Sequence, residues 1–117
     1  MMETELLFVY GTLKPGVDSP LKDYINQCCD TIGEGWLNGR LVYKGIYPAL
    51  EIDHQSKERV EGLLLRLRNP EENLKVFDDY EGIGPRYPEP WEYKRILHPV
   101  NCINGEIRKA WVYMNNL

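Results

Sequence analysis

Three carboxylates crowd into Asp78-Asp79-Tyr80-Glu81, immediately before Gly82, and acids at that spacing are raw material for a proton-transfer catalyst. A helix C-terminus already carries partial negative charge and disfavours further anions. Repulsion among the acids, together with burial beneath Tyr80 or another aromatic, would raise one carboxyl toward the range useful for general acid/base work, and Glu81 is the candidate. The competing reading is a solvated acidic helix end with Glu81 exposed. A second segment, Phe8-Val9-Tyr10-Gly11-Thr12-Leu13-Lys14-Pro15-Gly16, runs from apolar residues into a glycine-bearing loop. Successive backbone N–H groups there can converge into a nest for a carboxylate or phosphate. Equally, Gly11 can take a positive φ in a turn whose other residues merely pack. The phosphate-loop pattern GxxxxGK[ST] is absent. Neither cluster alone decides between chemistry and structure.

The remaining reactive residue types point away from metal and covalent catalysis. His54, in the turn-like Asp53-His54-Gln55-Ser56, and His98, before Pro99, are too isolated to form a metal site or a nucleophile's base. Cys28, Cys29 and Cys102 have no ligand spacing, and adjacent cysteines bridge only with strain, so neither a metal nor a disulfide framework is expected. With 18 acidic against 14 basic side chains, there is no electrostatic footprint for nucleic acid or an anionic membrane. No stretch nears the ~20 apolar residues of a membrane span, and the start lacks a signal-peptide pattern. A soluble, cytoplasmic protein with reduced thiols and a small-molecule partner is expected.

The elements that must position the two clusters are readable in outline. Leu6 to Tyr10 is an apolar run that ends at Gly11, as in a buried strand opening into a loop. Ser19 and Pro20 suit an N-cap and first helical residue, with Leu21, Tyr24, Ile25 and Cys28 on one helical face. From Thr31 to Leu67 no helical period exists, and glycines 33, 35, 39, 45 and 62 punctuate strand-like pieces at Trp36, 41–43, 49–52 and 60–67. Asn69-Pro70 opens a second helix that ends near Gly82 and carries Leu74 and Phe77 on its apolar edge. Two strands, about 91–98 and 107–113, flank a turn at Asn104-Gly105. Trp36, Trp91 and Trp111 are expected in core or pocket wall. The order predicts one α+β domain over 1–117, a small mixed or antiparallel β-barrel-like sheet with flanking short helices.

Taken together, Tyr10-Gly11-Thr12-Leu13 at the end of the first strand, Tyr47-Pro48 after a glycine-bearing turn, Val60-Glu61-Gly62 opening a strand, and Asp78-Asp79-Tyr80-Glu81-Gly82 resemble the γ-glutamylcyclotransferase-like (AIG2-like) family. The resemblance runs from about Leu6 to Tyr113. It implies a small barrel with flanking helices that turns a γ-glutamyl amide into 5-oxoproline and a free amine without a cofactor. It further implies that Glu81 is the acid/base, and that Tyr10, Gly11, Thr12 and Leu13 line the site and hold the substrate's α-carboxylate on backbone N–H groups. Members carry a tyrosine, one residue and an arginine after the acidic motif. Tyr87 and the trio Tyr93-Lys94-Arg95 both qualify, and Tyr93 fits better by its strand context and Arg95. The intervening loop, Ile83 to Pro90, is then expected to reshape the side of the pocket that recognises the leaving amine.

Such chemistry suits what the chain lacks. The substrate's own α-amine attacks its γ-carbonyl, so no serine or cysteine nucleophile is needed, and one glutamate can take and return the proton. The second function class is a non-catalytic binding or interaction domain that keeps the same pocket. Release of 5-oxoproline separates the two.

Overall fold

The computed structural model describes residues 3–11, 14, 16–45 and 47–117. Strand β1 (Leu6–Val9) is buried at every position, as its unbroken apolar run requires. It pairs antiparallel with β4 (Arg59–Leu67) on one side and parallel with β6 (Ile107–Asn115) on the other. The sheet continues from β4 to β2 (Cys29–Lys44) and from β6 to β5 (Tyr93–Cys102), and β2 pairs with β5 at Gly35 and Trp36. The five strands thus close in the order β2-β4-β1-β6-β5, with β3 (Tyr47–Ile52) added along β2. The expected α+β barrel with flanking helices is what forms.

Alternation along β1 divides the core in two. Leu6 and Phe8 point into the barrel with Leu37, Leu64, Val100 and Val112, while Leu7 and Val9 point outward under the helices with Ile25, Leu65, Leu74 and Phe77. The outer layer comprises α1 (Lys22–Cys28) and α2 (Pro70–Tyr80), joined by the edge-on contact of Tyr24 with Phe77 and by the bond from Asn73 Nδ2 to Tyr24 Oη.

Three expectations change. Helix α1 starts at Lys22 rather than at a Ser19 cap; Ser19 closes a turn through its carbonyl, which accepts from Lys22 N, and its Oγ has no partner among the described residues. Of the middle-segment glycines only Gly45 ends a strand, following Lys44 at φ 67°, whereas 33, 35 and 39 lie inside the sixteen residues of β2 and 62 inside β4. Gly35 and Gly39 are present where another strand comes too close for a side chain, and a Cβ on Gly35 would sit 2.9 Å from Asn101 O; a Cβ on Gly33 would meet nothing. The tryptophans are half-buried, and of the three only Trp111 meets the expectation, packing against the outer core beneath the Arg95 guanidinium, while Trp36 lies beneath that of Arg59.

Gly62 shows the same constraint against β1. A Cβ there would collide with Val9 O and the Phe8 ring, both fixed in the barrel seam. Gly62→Ala should therefore destabilise the fold by about 1–3 kcal/mol, read as a lower midpoint in urea with unchanged slope.

Candidate active site

A cavity of roughly 500 Å3 opens at the end of the barrel where β1 runs out, within the usual ~300–1,000 Å3 of small-molecule sites. Its walls come from segments distant in sequence: Phe8 to Gly11, the turn before α1, the β2–β3 hairpin, the end of α2, the start of β5, and Tyr113 of β6. Glu81, Tyr10, Gly11 and Tyr93 all line it. Thr12 and Leu13 lie outside the described residues.

Glu81 is delivered by the way α2 stops. It is the C-cap residue; Gly82 follows at φ 77°, its N–H bonds to Asp79 O, and Ile83 N–H bonds to Asp78 O at 2.8 Å. Those two bonds form a Schellman closure, which needs a left-handed residue after the cap and so selects glycine. Ile83 packs back on the outer core, fixing the chain on the far side.

The three clustered carboxylates have separate fates. Asp79 turns outward to Arg86 at 3.3 Å and the Tyr87 hydroxyl. Asp78 accepts from Arg95 Nε at 2.8 Å, Arg95 Nη2 at 3.2 Å and the Tyr113 hydroxyl at 2.6 Å. The Glu81 carboxyl has neither a hydrogen bond nor an ion pair among the described residues. Burial, reinforced by the fixed charge of Asp78, pushes its pKa up to about 7. A carboxyl poised there can both accept and donate a proton at neutral pH.

Tyr10 braces the site. Its hydroxyl donates to Tyr113 O at 2.6 Å and accepts from Leu50 N at 3.2 Å, tying the exit of β1 to β6 and β3. Burial holds this phenol well above its ordinary pKa, so it stays protonated. The Tyr93 hydroxyl donates to Pro48 O at 3.3 Å, and burial first, then the Glu81 charge, raise its pKa. Tyr87 is elsewhere, its hydroxyl on Asp79 O at 3.0 Å. The loop 83–90 contributes no residue to the described cavity wall, contrary to the expectation that it shapes the leaving-group side. It folds against the outer end of α2 instead, held by Tyr87 and Arg86.

Gly11 has an ordinary φ; the left-handed glycine of this loop is Gly16, at 85°. Gly11 O accepts from Lys14 N at 3.1 Å, and a Cβ would meet only Pro48 Cγ at 3.5 Å. Its constraint is room in the cavity, not backbone strain. Gly11→Ala should fold with unchanged thermal midpoint, while Gly11→Val, placing methyls against the cavity wall, should raise KM about tenfold or more. A Gly11→Val protein with unaltered KM would remove this loop from the site.

Lys44 and Tyr113 are cavity residues that no local motif marks, while Pro48 comes from the Tyr47-Pro48 pair. Lys44 reaches the site through the β2–β3 hairpin, where it pairs with Tyr47. The histidines sit outside the cavity and stack on each other at 5.2 Å, and the described residues contain no group of three or more His, Cys, Asp or Glu able to hold a metal. The Cys28 and Cys29 thiols touch at 3.0 Å and are free. No described helix is long and apolar enough to cross a membrane.

Several solved structures share this architecture. An AIG2-like protein from Mus musculus aligns with TM-score 0.74 at 24% identity, over 97% of this chain and 78% of that one. A structure described as γ-glutamyl cyclotransferase aligns with TM-score 0.68 at 16% identity, over 97% of this chain and 68% of the other. YkqA from Bacillus subtilis gives 0.69 at 20% identity, and the chain spans only 36% of its length. No curated protein sequence matches. The family model described as "Gamma-glutamyl cyclotransferase, AIG2-like" matches residues 7–117. The chain therefore belongs to the γ-glutamyl cyclotransferase, AIG2-like family.

Proposed function

We propose that the protein is a cyclotransferase that releases 5-oxoproline and a free amine from a γ-glutamyl amine or γ-glutamyl peptide, with Glu81 as general acid/base and no cofactor. The observation that supports this reading is a carboxyl without a partner among the described residues, raised to about pKa 7, in the wall of a cavity large enough for such a substrate.

The bond that forms joins the substrate's α-nitrogen to its γ-carbonyl carbon, and the bond that breaks is the γ-amide C–N. Over the reaction the α-nitrogen, initially an ammonium, gives up two protons, and the departing nitrogen gains two and leaves as an ammonium. Glu81 carries a proton from the first nitrogen to the second, and the other exchanges through solvent. Closure of a five-membered ring is fast once the chain is curled, so the remaining work is to hold the α-carboxylate and the γ-carbonyl. Backbone groups of the Gly11 loop are proposed for this, with Tyr10 and Tyr93 as walls.

Purified protein incubated with γ-glutamyl amines, γ-glutamyl dipeptides and γ-glutamyl-ε-lysine should release 5-oxoproline from at least one. Release from none, with binding retained, would favour a non-catalytic binding domain that keeps the pocket.

A further inference from the structure

We propose that the ε-ammonium of Lys44 is a carboxylate anchor of this cavity and takes a carboxylate of the ligand by a charge-assisted hydrogen bond. The identity of the ligand rests on the cyclotransferase reading; the anchor itself rests on geometry. Lys44 is the last residue of β2, and its Nζ donates to Glu92 O at 3.1 Å while lying 5.3 Å from the centroid of the Tyr93 ring. Those two contacts come from the segment entering β5 and hold the head group in place. An ammonium has three donors, and the Glu92 carbonyl uses one.

Lys44 has no carboxylate within ion-pair distance among the described residues, whereas Arg40, Arg66, Arg68, Arg86 and Arg95 each have one. It is also the only basic residue among the described residues of the cavity wall, which otherwise carries Asp18, Glu81 and Glu92. Lys44 is thus the one side-chain cation of the described wall that attracts an entering carboxylate, and it biases which way round an anionic ligand lies. Charge-assisted bonds of this kind are short and roughly twice as strong as neutral ones.

A γ-glutamyl dipeptide offers two carboxylates, one on the glutamyl Cα and one on the leaving group, and suitable probes separate them. N-glutarylglycine is γ-glutamylglycine without its amine; it keeps both carboxylates and cannot cyclise. N-methylglutaramic acid keeps only the first. Binding of each is measured by calorimetry to the wild type, Lys44→Met and Lys44→Arg, beside KM and kcat for γ-glutamylglycine and γ-glutamylmethylamide.

Lys44→Met should fold with an unchanged thermal midpoint and weaken binding about 10- to 100-fold, with KM rising in step and kcat nearly constant. Lys44→Arg should restore most of the affinity. Weakening for both probes places the glutamyl carboxylate on Lys44; weakening for N-glutarylglycine alone places the leaving-group carboxylate there. A wild type that binds neither probe, or a Lys44→Met protein that binds both as the wild type does, overturns the anchor. Lys44-dependent binding without any 5-oxoproline release would instead retain the anchor and reject the cyclotransferase reading.

Discussion

Glu81→Gln is expected to fold, to keep substrate affinity, and to lose turnover by about 10²- to 10⁴-fold, the usual contribution of a general acid/base. The amide keeps the size of the carboxyl and cannot carry a proton at neutral pH. The same substitution should make the protein more stable in alkali. Glu81 titrates near 4.5 when unfolded and near 7 when folded, so its protonated form favours folding. That stability is fully present below pH 4.5 and is lost as pH rises to 7. Glutamine has nothing to lose. At pH 8 the variant should therefore be more stable than the wild type by about 1–2 kcal/mol, less than the full shift because the carboxyl lies in the wall of an open cavity, and near pH 4 the two should coincide. Urea unfolding at the two pH values measures this. Near-normal turnover by Glu81→Gln would assign the proton transfer to another group.

Asp78→Asn should have the second-largest effect, and a different kind of effect. From its place in an acidic cluster Asp78 reads as a mild control, yet its carboxylate holds both Arg95, at only 21% side-chain exposure for each partner, and the buried Tyr113 hydroxyl. Replacing it leaves a largely buried guanidinium with a neutral partner, at a cost of about 1–3 kcal/mol. It also removes the charge that helps to raise Glu81, so the Glu81 pKa falls and the limb of the kcat/KM profile near pH 7 moves to lower pH. Asp79→Asn, whose carboxylate faces outward to Arg86, should shift neither. An unmoved pH limb in Asp78→Asn would mean that burial alone sets the Glu81 pKa.

What could be read from the sequence was whatever local chemistry dictates. The buried β1, the α2 start at Pro70 and the stop at Gly82 follow from apolar runs, proline and glycine, and they locate Glu81 at the helix end. The division of labour among Asp78, Asp79 and Glu81 does not follow, because it depends on Arg95 and Tyr113, which arrive from strands formed later in the chain. Glycines of β2 were misleading for a related reason. A glycine that breaks a strand and one that admits a neighbouring strand look alike until the neighbour is known. Lys44 was invisible for the same cause, since its partner Glu92 is 48 residues away.

The parallel seam between β1 and β6 has a further consequence for the order of folding. Leu7 lies beside Trp111 and Phe8 beside Val112, and the Tyr10 hydroxyl reaches Tyr113 O across 103 residues of chain. Contacts of such long range carry the largest loop-closure entropy and tend to form late. On a ribosome the first strand emerges long before its neighbour exists, and no hairpin can stand in for a parallel partner. The cavity wall contributed by Tyr113 thus waits on a strand that follows the first by about a hundred residues, and a nascent polypeptide that stops short of β6 lacks that wall of the pocket.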